Sequence, residues 1–341
     1  MNKRGVFELL RLAALALPIA VSLPLIAGFF GAWHPAFDSF AHFRMHLAVA
    51  TALSALPALS LGYWKEAGLS ITLGLGAFAT AVNFPATLVF GQVNAAVKTN
   101  QATYRLLHVN ARFDNATPEK LLSLIGRTRP DIVAVNEVSP IWIAQLERIS
   151  AAYPYSIFCE PRSPIGPAAI LSRRPFAAGG EGACFESGAM ATAEIDLGGR
   201  SIAVAAMHLK WPWPFSQARQ IDRLSGPLAQ LGETALAAGD FNAAPWSNAV
   251  ARIMDAGGLD RVSGSTPTWL SRRLPVSWRQ WIGLPIDHVF RKGAVTVHSV
   301  SIQEDVGSDH APLLVEFSLD PVEVPAIEES TTALNHGGAR F

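Results

Sequence analysis

Ala235-Leu236-Ala237-Ala238-Gly239-Asp240-Phe241-Asn242 passes from an unbroken apolar stretch straight into a glycine, a carboxylate and an amide. A short run of small and apolar residues reads as a core strand. Side chains repeat every two residues along a strand, so Asp240 and Asn242 are expected to leave its C-terminal end pointing the same way. An acceptor-only group and a donor group then aim at one spot. That pairing suits a site that deprotonates a water while donating a hydrogen bond to an anionic oxygen. Alone, the pair is also an ordinary turn signal.

Other stretches end in the same manner. Residues 104–109 alternate into a strand that stops at Asn110, and Thr117-Pro118 opens a helix to about 129, with Thr as N-cap and Pro in the first helical position. Residues 131–135 form an apolar strand that stops at Asn136-Glu137. A helix over 140–151 and strands over 155–159 and 168–171 follow. Strands over 189–196 and 201–207 flank Gly198-Gly199, which predicts a hairpin, and the second runs into His208. A helix over 217–231 leads into the opening strand, and a short helix over 247–256 leaves it. Strands over 286–290, 295–302 and 312–317 complete the pattern, with Asp309-His310 just before the last. This order predicts a layered sheet covered by helices, with ligands at the rim where strands end. Asn110, Glu137, His208, Asp240, Asn242, Asp287, Asp309 and His310 all fall at strand ends. So many groups suited to phosphate-ester hydrolysis are hard to attribute to turn formation.

The stretches HVNARF (108–113), DIVAVNEV (131–138), AMHL (206–209), GDFNAAP (239–245), IDHVF (286–290) and GSDHAPL (307–313) resemble, in the same order, the motifs of the endonuclease/exonuclease/phosphatase superfamily. The resemblance spans about 103–318, and GDFNAAP and GSDHAPL are its most specific parts. It implies an α/β fold, a four-layered sandwich of two mixed β-sheets flanked by helices. It also implies Mg²⁺ or Mn²⁺ held by Glu137 with help from Asn110, and Asp309 supporting the metal directly or through water. Asp240 would orient or deprotonate the attacking water, and Asn242 would hold the phosphate. His310, its ring oriented by Asp287, would bond a non-bridging oxygen, while His208 would contact phosphate or leaving group. The implied activity is hydrolysis of a phosphodiester by direct water attack, the substrate being a nucleic acid or a lipid head group. A phosphomonoesterase acting on a small metabolite and an inactive, membrane-tethered binding module are the alternatives. Asn136 stands where many members carry Gln, and His288 where an aromatic is common; His288 reads as a structural strand residue.

With 50% hydrophobic and 16% charged residues, the chain is more apolar than a typical soluble enzyme. The excess is concentrated: Asp38 is the only charge between Arg11 and Arg44, and none falls between Arg44 and Lys65 or between Glu66 and Lys98. Each gap holds an apolar stretch of about 20 residues, enough to cross a bilayer. Three transmembrane helices are therefore expected near 10–31, 45–64 and 68–91, within an anchor over 1–98. A catalytic domain over 99–319 and a disordered tail over 320–341 would follow. A cleaved signal peptide competes for the first span, but the run is long for one. Pro18, Pro24, Pro57 and Pro85 would kink these spans without forbidding them. Lys3, Arg4, Arg11 and Lys65 against Arg44 and Lys98 favour a cytoplasmic N-terminus. The catalytic domain would then be periplasmic, carried by a multi-pass inner-membrane protein. His34, His42 and His46 fit no metal-ligand spacing and read as interfacial residues.

Six of the 27 basic and three of the 27 acidic residues precede Asn100, which leaves a net charge of −3 on the rest. That leans against a nonspecific duplex-DNA binder. Arg272, Arg273, Arg279, Arg291 and Lys292 form a local basic cluster that could meet an anionic substrate or serve as a solvated loop. Cys159 and Cys184 have no CxxC spacing, so a disulfide and two buried thiols are equally good readings. Trp211-Pro212-Trp213-Pro214-Phe215 follows His208, and Trp269, Trp278 and Trp281 precede Asp287. These loops are expected near the site, resting on a bilayer or stacking substrate bases, with plain packing as the alternative for Trp269.

Overall fold

A computed structural model of the protein describes residues 3–82, 101–160, 165–262 and 264–321. Its N-terminal part is helical: α1 (Lys3–Ala27), α2 (Pro35–Ala41), α3 (Arg44–Ser54), α4 (Leu56–Ser60) and α5 (Trp64–Val82). Only α1, among the described residues, is long and apolar enough to cross a membrane, with 24 residues over Arg4–Ala27 at a mean hydropathy of 2.1. Among the described residues, the three expected spans are thus corrected to one. The second breaks into α3 and α4 around Ala55, where Pro57 can supply no N–H to carry the helix onward. The third expected span begins inside α5, whose first turn carries Lys65 and Glu66, and continues beyond the described residues. The expected tail likewise lies outside them from 322 on. Pro18 and Pro24 sit within α1 without ending it.

Two mixed six-stranded sheets follow. In one the order is β11 (Val295–Ile302), β12 (Leu313–Leu319), β1 (Tyr104–Asn110), β2 (Ile132–Asn136), β4 (Ala169–Ser172), β3 (Tyr155–Phe158). In the other it is β5 (Ala183–Phe185), β6 (Met190–Asp196), β7 (Ser201–His208), β8 (Ala235–Asp240), β10 (Asp287–Lys292), β9 (Asp260–Arg261). Each sheet has one parallel pair at its centre, β1 with β2 and β7 with β8. Helices α6 (Pro118–Thr128) and α7 (Pro140–Glu147) cover the first sheet; α8 (Gln217–Ala229) and α9 (Asn248–Gly257) cover the second.

The period of two explains the layering. In β2, Ile132 and Ala134 enter the core between the sheets, while Val133 and Val135 face α6 and α7. In β8, Leu236 and Ala238 enter the same central core, and Ala235 and Ala237 pack under α8 and α9. Strands buried on both faces read as continuous apolar runs, as these do. Gly239 has no substitute: a Cβ there would collide with the Met207 carbonyl of the neighbouring strand.

The predicted strands and helices recur with shifts of a residue or a few. Helix α7 stops at Glu147 rather than 151. Thr117 does not cap α6, because its hydroxyl donates to Asn115 Oδ1 instead. The short strands β5 and β9 were not read from the sequence; two or three residues are too few to show a period. Cys159 and Cys184 form a disulfide that ties the end of β3 to β5. The basic cluster does not persist as one patch. Arg279 folds towards the Asp309 carbonyl, whereas Arg291 and Lys292 lie at the end of β10 far from Asp287.

Candidate active site

The central core ends in polar residues at the rim where the parallel pairs finish. Asn110 pairs with Asn136, His208 with Asp240, and Asp240 in turn with Asp287. Each has the parity of the apolar residues that fill the space between the sheets: Leu106 for Asn110, Ile132 for Asn136, Val204 for His208, Leu236 for Asp240 and Val289 for Asp287. The site is therefore the last layer of that core, with polar side chains in place of apolar ones.

Asp240 is at its centre. Its Oδ1 accepts from the Asn242 N–H at 2.8 Å, and its Oδ2 from Asn110 Nδ2 at 3.0 Å. His208 Nε2 and His310 Nε2 approach Oδ2 to 3.6 and 3.5 Å. Burial pushes the Asp240 carboxyl up to about 7; His310 and the Asn242 N–H oppose this, and the Asp287 and Glu137 carboxylates add to it. A group of ordinary acidity is thus made able to take up a proton near neutrality.

His310 is the tethered cation. Its Nδ1 donates to Asp287 Oδ2 at 2.9 Å. Burial alone would lower its pKa, but Asp287 and Asp240 reverse that and hold it at about 10. Burial would raise Asp287, yet His310 and the two histidine hydrogen bonds keep it well below the usual carboxylate range. Burial leaves His208 below the ordinary histidine value, against the opposing pull of Glu137.

Glu137 follows β2 in the left-handed region at φ 59°, uncommon for a residue with a Cβ, and strained backbone clusters at functional sites. Its Oε1 accepts from Asn110 Nδ2 and its Oε2 from the Phe113 N–H, each at 3.0 Å. Two sets of side chains bring ligand atoms close enough together to hold one metal ion: Glu137 with His208 and Asp240, and Asp240 with Asp287 and His310. The donors fit a hard divalent cation at Glu137 and Asp240, where carboxylates crowd together and raise the Asp240 pKa.

Three expected roles change with this geometry. Asn110 donates to both carboxylates through Nδ2, and its Oδ1, the atom a cation would take, is held by the Arg112 N–H at 3.0 Å. Asn242 does not continue the alternation of β8. It lies past the strand end at φ 45°, and its Nδ2 donates to the Leu209 carbonyl at 2.8 Å and to Asp240 at 3.4 Å. Asp309 belongs to neither cation set; its Oδ2 accepts from Trp269 Nε1 at 3.2 Å. Trp269 in turn meets Trp211 edge to face, so both line the cleft with Asp309. His288 is wholly buried with Nε2 against the Ala243 carbonyl, as a structural residue should be.

Two residues were missed. His108, fully buried, places Nε2 3.0 Å from Asp287 Oδ1, so Asp287 lies between two imidazoles. Thr268 Oγ1 accepts the Asp287 N–H at 3.1 Å. A histidine two residues before Asn110, on the same face of an apolar strand, was the available signal for His108; Thr268 had none. Glu137, His208, Asp240, Asn242, Asp309 and His310 border a cleft of about 830 Å³.

The sequence model of the Endonuclease/Exonuclease/phosphatase family matches residues 107–310, a span that contains all of these groups. The chain belongs to that family. An endonuclease/exonuclease/phosphatase from Bacteroides vulgatus shares the fold at 17% identity, covering 64% of this chain and 100% of that one with a TM-score of 0.52. D. rerio TDP2 complexed with single-strand DNA product does so at 17% identity, covering 64% and 99% with a TM-score of 0.51. A UPF0294 protein of Vibrio vulnificus (strain YJ016) is 34% identical over 127 residues, 36% of this chain. The chain spans 41% of that relative's length. Within the matched span, the grouped carboxylates and imidazoles suit a divalent metal.

Proposed function

We propose that the protein hydrolyses a phosphodiester by direct attack of water, with Mg²⁺ or Mn²⁺ as cofactor. The observation that carries this reading is the pairing, across 3.5 Å, of a carboxylate able to accept a proton with an imidazolium held cationic. Asp240 takes a proton from the attacking water, and Asn110 and Asn242 fix its two oxygens. His310, oriented by Asp287 and backed by His108, presents its Nε2–H to a non-bridging phosphate oxygen, where charge grows in the transition state. His208 lies on the leaving-group side. Glu137 would hold the metal, which supplies charge neutralisation at the phosphorus and acidifies bound water, while Asp240 beside it stays free to take the proton. Asn242 acts through Asp240 rather than on the phosphate.

The test uses the full chain and bis-p-nitrophenyl phosphate. Hydrolysis that requires Mg²⁺ or Mn²⁺, stops with EDTA and is lost in Asp240→Asn is expected. A folded, metal-loaded protein that leaves the ester intact refutes the reading.

We also infer that α1 crosses the membrane once, with Lys3, Arg4 and Arg11 on the cytoplasmic side and the catalytic domain outside. The disulfide supports this, since such bonds persist in oxidising compartments. Alkaline phosphatase fused after Phe341 should be active; an inactive fusion reverses the orientation.

A further inference from the structure

The chain leaving α1 is fastened to the catalytic domain at several points. Both Asp38 carboxylate oxygens accept from the first backbone N–H groups of α9, those of Asn248 and Ala249, at 2.7 and 2.9 Å. Trp246 Nε1 donates to the Ala41 carbonyl at 2.6 Å, and the Ala244 N–H to His42 Nδ1 at 3.0 Å. His46 Nε2 meets the Ile282 carbonyl at 3.1 Å, and Ser39 Oγ donates to the Trp213 carbonyl at 3.0 Å. The last two partners belong to the two aromatic loops, 211–215 and 276–282.

Those loops are unusually bare. Trp213, Phe215, Trp278 and Trp281 are all at least half exposed, Trp281 at 78%, and Trp33 in the turn after α1 at 76%. Exposed aromatics concentrated on one rim mark an interaction surface, and Trp favours the membrane–water interface. Trp211 and Phe215 also border the active-site cleft, which links this rim to the catalytic groups. The apolar helix, the aromatic rim and the cleft mouth are therefore continuous.

We propose that the cleft mouth lies against the bilayer and that the scissile ester belongs to the head group of a membrane phospholipid. The proposal rests on the phosphodiesterase reading above. Water adds to phosphorus, one P–O ester bond breaks, and the products are a phosphomonoester and an alcohol. The water's proton passes to Asp240, and a proton returns to the departing oxygen, so no other reactant is needed.

The experiment uses the full chain reconstituted in phosphatidylethanolamine vesicles with Mn²⁺, with single-stranded DNA and bis-p-nitrophenyl phosphate as parallel substrates. The double variant Trp213→Ala/Trp281→Ala should hydrolyse the vesicle lipid about tenfold or more slowly, because interfacial apolar area is lost. Its rate on bis-p-nitrophenyl phosphate should be unchanged, which also reports that it is folded. Equal lipid hydrolysis by variant and wild type overturns the proposal, and so does cleavage of DNA with intact lipid. Inactivity on all three substrates fails the phosphodiesterase reading and the lipid substrate with it. The surface is then judged by depth alone. A fluorophore on Trp281→Cys, in a chain whose two native cysteines are joined, should be quenched by bilayer-confined nitroxide lipid and shielded from aqueous iodide. The reverse pattern removes the rim from the membrane.

Discussion

Replacing Asp287 by Asn keeps the size of the side chain and removes its charge from between two imidazoles. The native carboxylate accepts from His310 Nδ1 at 2.9 Å and from His108 Nε2 at 3.0 Å, with no exposed surface. The amide offers one acceptor oxygen; its NH₂ faces the second ring nitrogen as a donor, so one histidine loses its partner. Without that carboxylate, burial acts on His310 against weaker opposition, and its pKa falls from about 10 towards or below 6.5. The native value lies above the unfolded one, so its contribution to stability is complete below about pH 6.5 and is lost as pH rises through about 10. At about 1.4 kcal/mol per pH unit, that contribution is at most about 5 kcal/mol. Asp287→Asn should therefore lower stability by several kcal/mol near neutrality and flatten its decline with alkali. In bis-p-nitrophenyl phosphate assays near pH 8, kcat/KM should fall by a factor on the order of 10² or more. The alkaline limb of its pH profile should also move down by at least about one pH unit. Urea denaturation in EDTA across this range and a kcat/KM profile measure the two effects. An unchanged alkaline limb with native kcat/KM would show that Asp287 does not keep His310 charged.

Glu137→Gln should weaken Mn²⁺ binding by at least about tenfold in calorimetric titration; unchanged affinity would remove Glu137 from the metal site. Opening the disulfide with Cys159→Ser/Cys184→Ser, which releases a loop with ends 25 residues apart, should cost about 3 kcal/mol in urea unfolding. The same loss should be seen when wild type is unfolded with reductant. Asp38→Ala removes the carboxylate from the N-terminus of α9 and should lower stability by about 1–2 kcal/mol, read in the same way. An effect below a few tenths would mean that the N-terminal segment is not held there.

Much of the sandwich was legible because its strands are short apolar runs that stop at polar residues, and burial on both faces demands that pattern. The order of motifs placed the rim residues as well. Their parity did the rest: Asp240 and Asp287 sit in step with the Leu236 and Val289 of the central core. Local sequence could not show that Asn242 turns into the left-handed region, because strand alternation ends with the last ladder hydrogen bond. Nor could it assign His108, since a lone histidine in an apolar strand acquires its meaning from a carboxylate 179 residues away. The N-terminal region was misread for a related reason. Apolar length counts residues, whereas Pro57 divides the second stretch into two short helices.

What the sequence by itself determined is the alternation of strands and helices, the family, and the chemistry gathered at strand ends, all of which depend on residue type and near neighbours. Only the tertiary structure decided which partner each group would have. Asp287 came to rest between two histidines, Asn110 became a donor to two carboxylates, and Asp38 came to accept the first N–H groups of a helix 210 residues away. Those outcomes depend on how two sheets and a helical segment pack, and buried polar groups must find partners wherever the packing brings them.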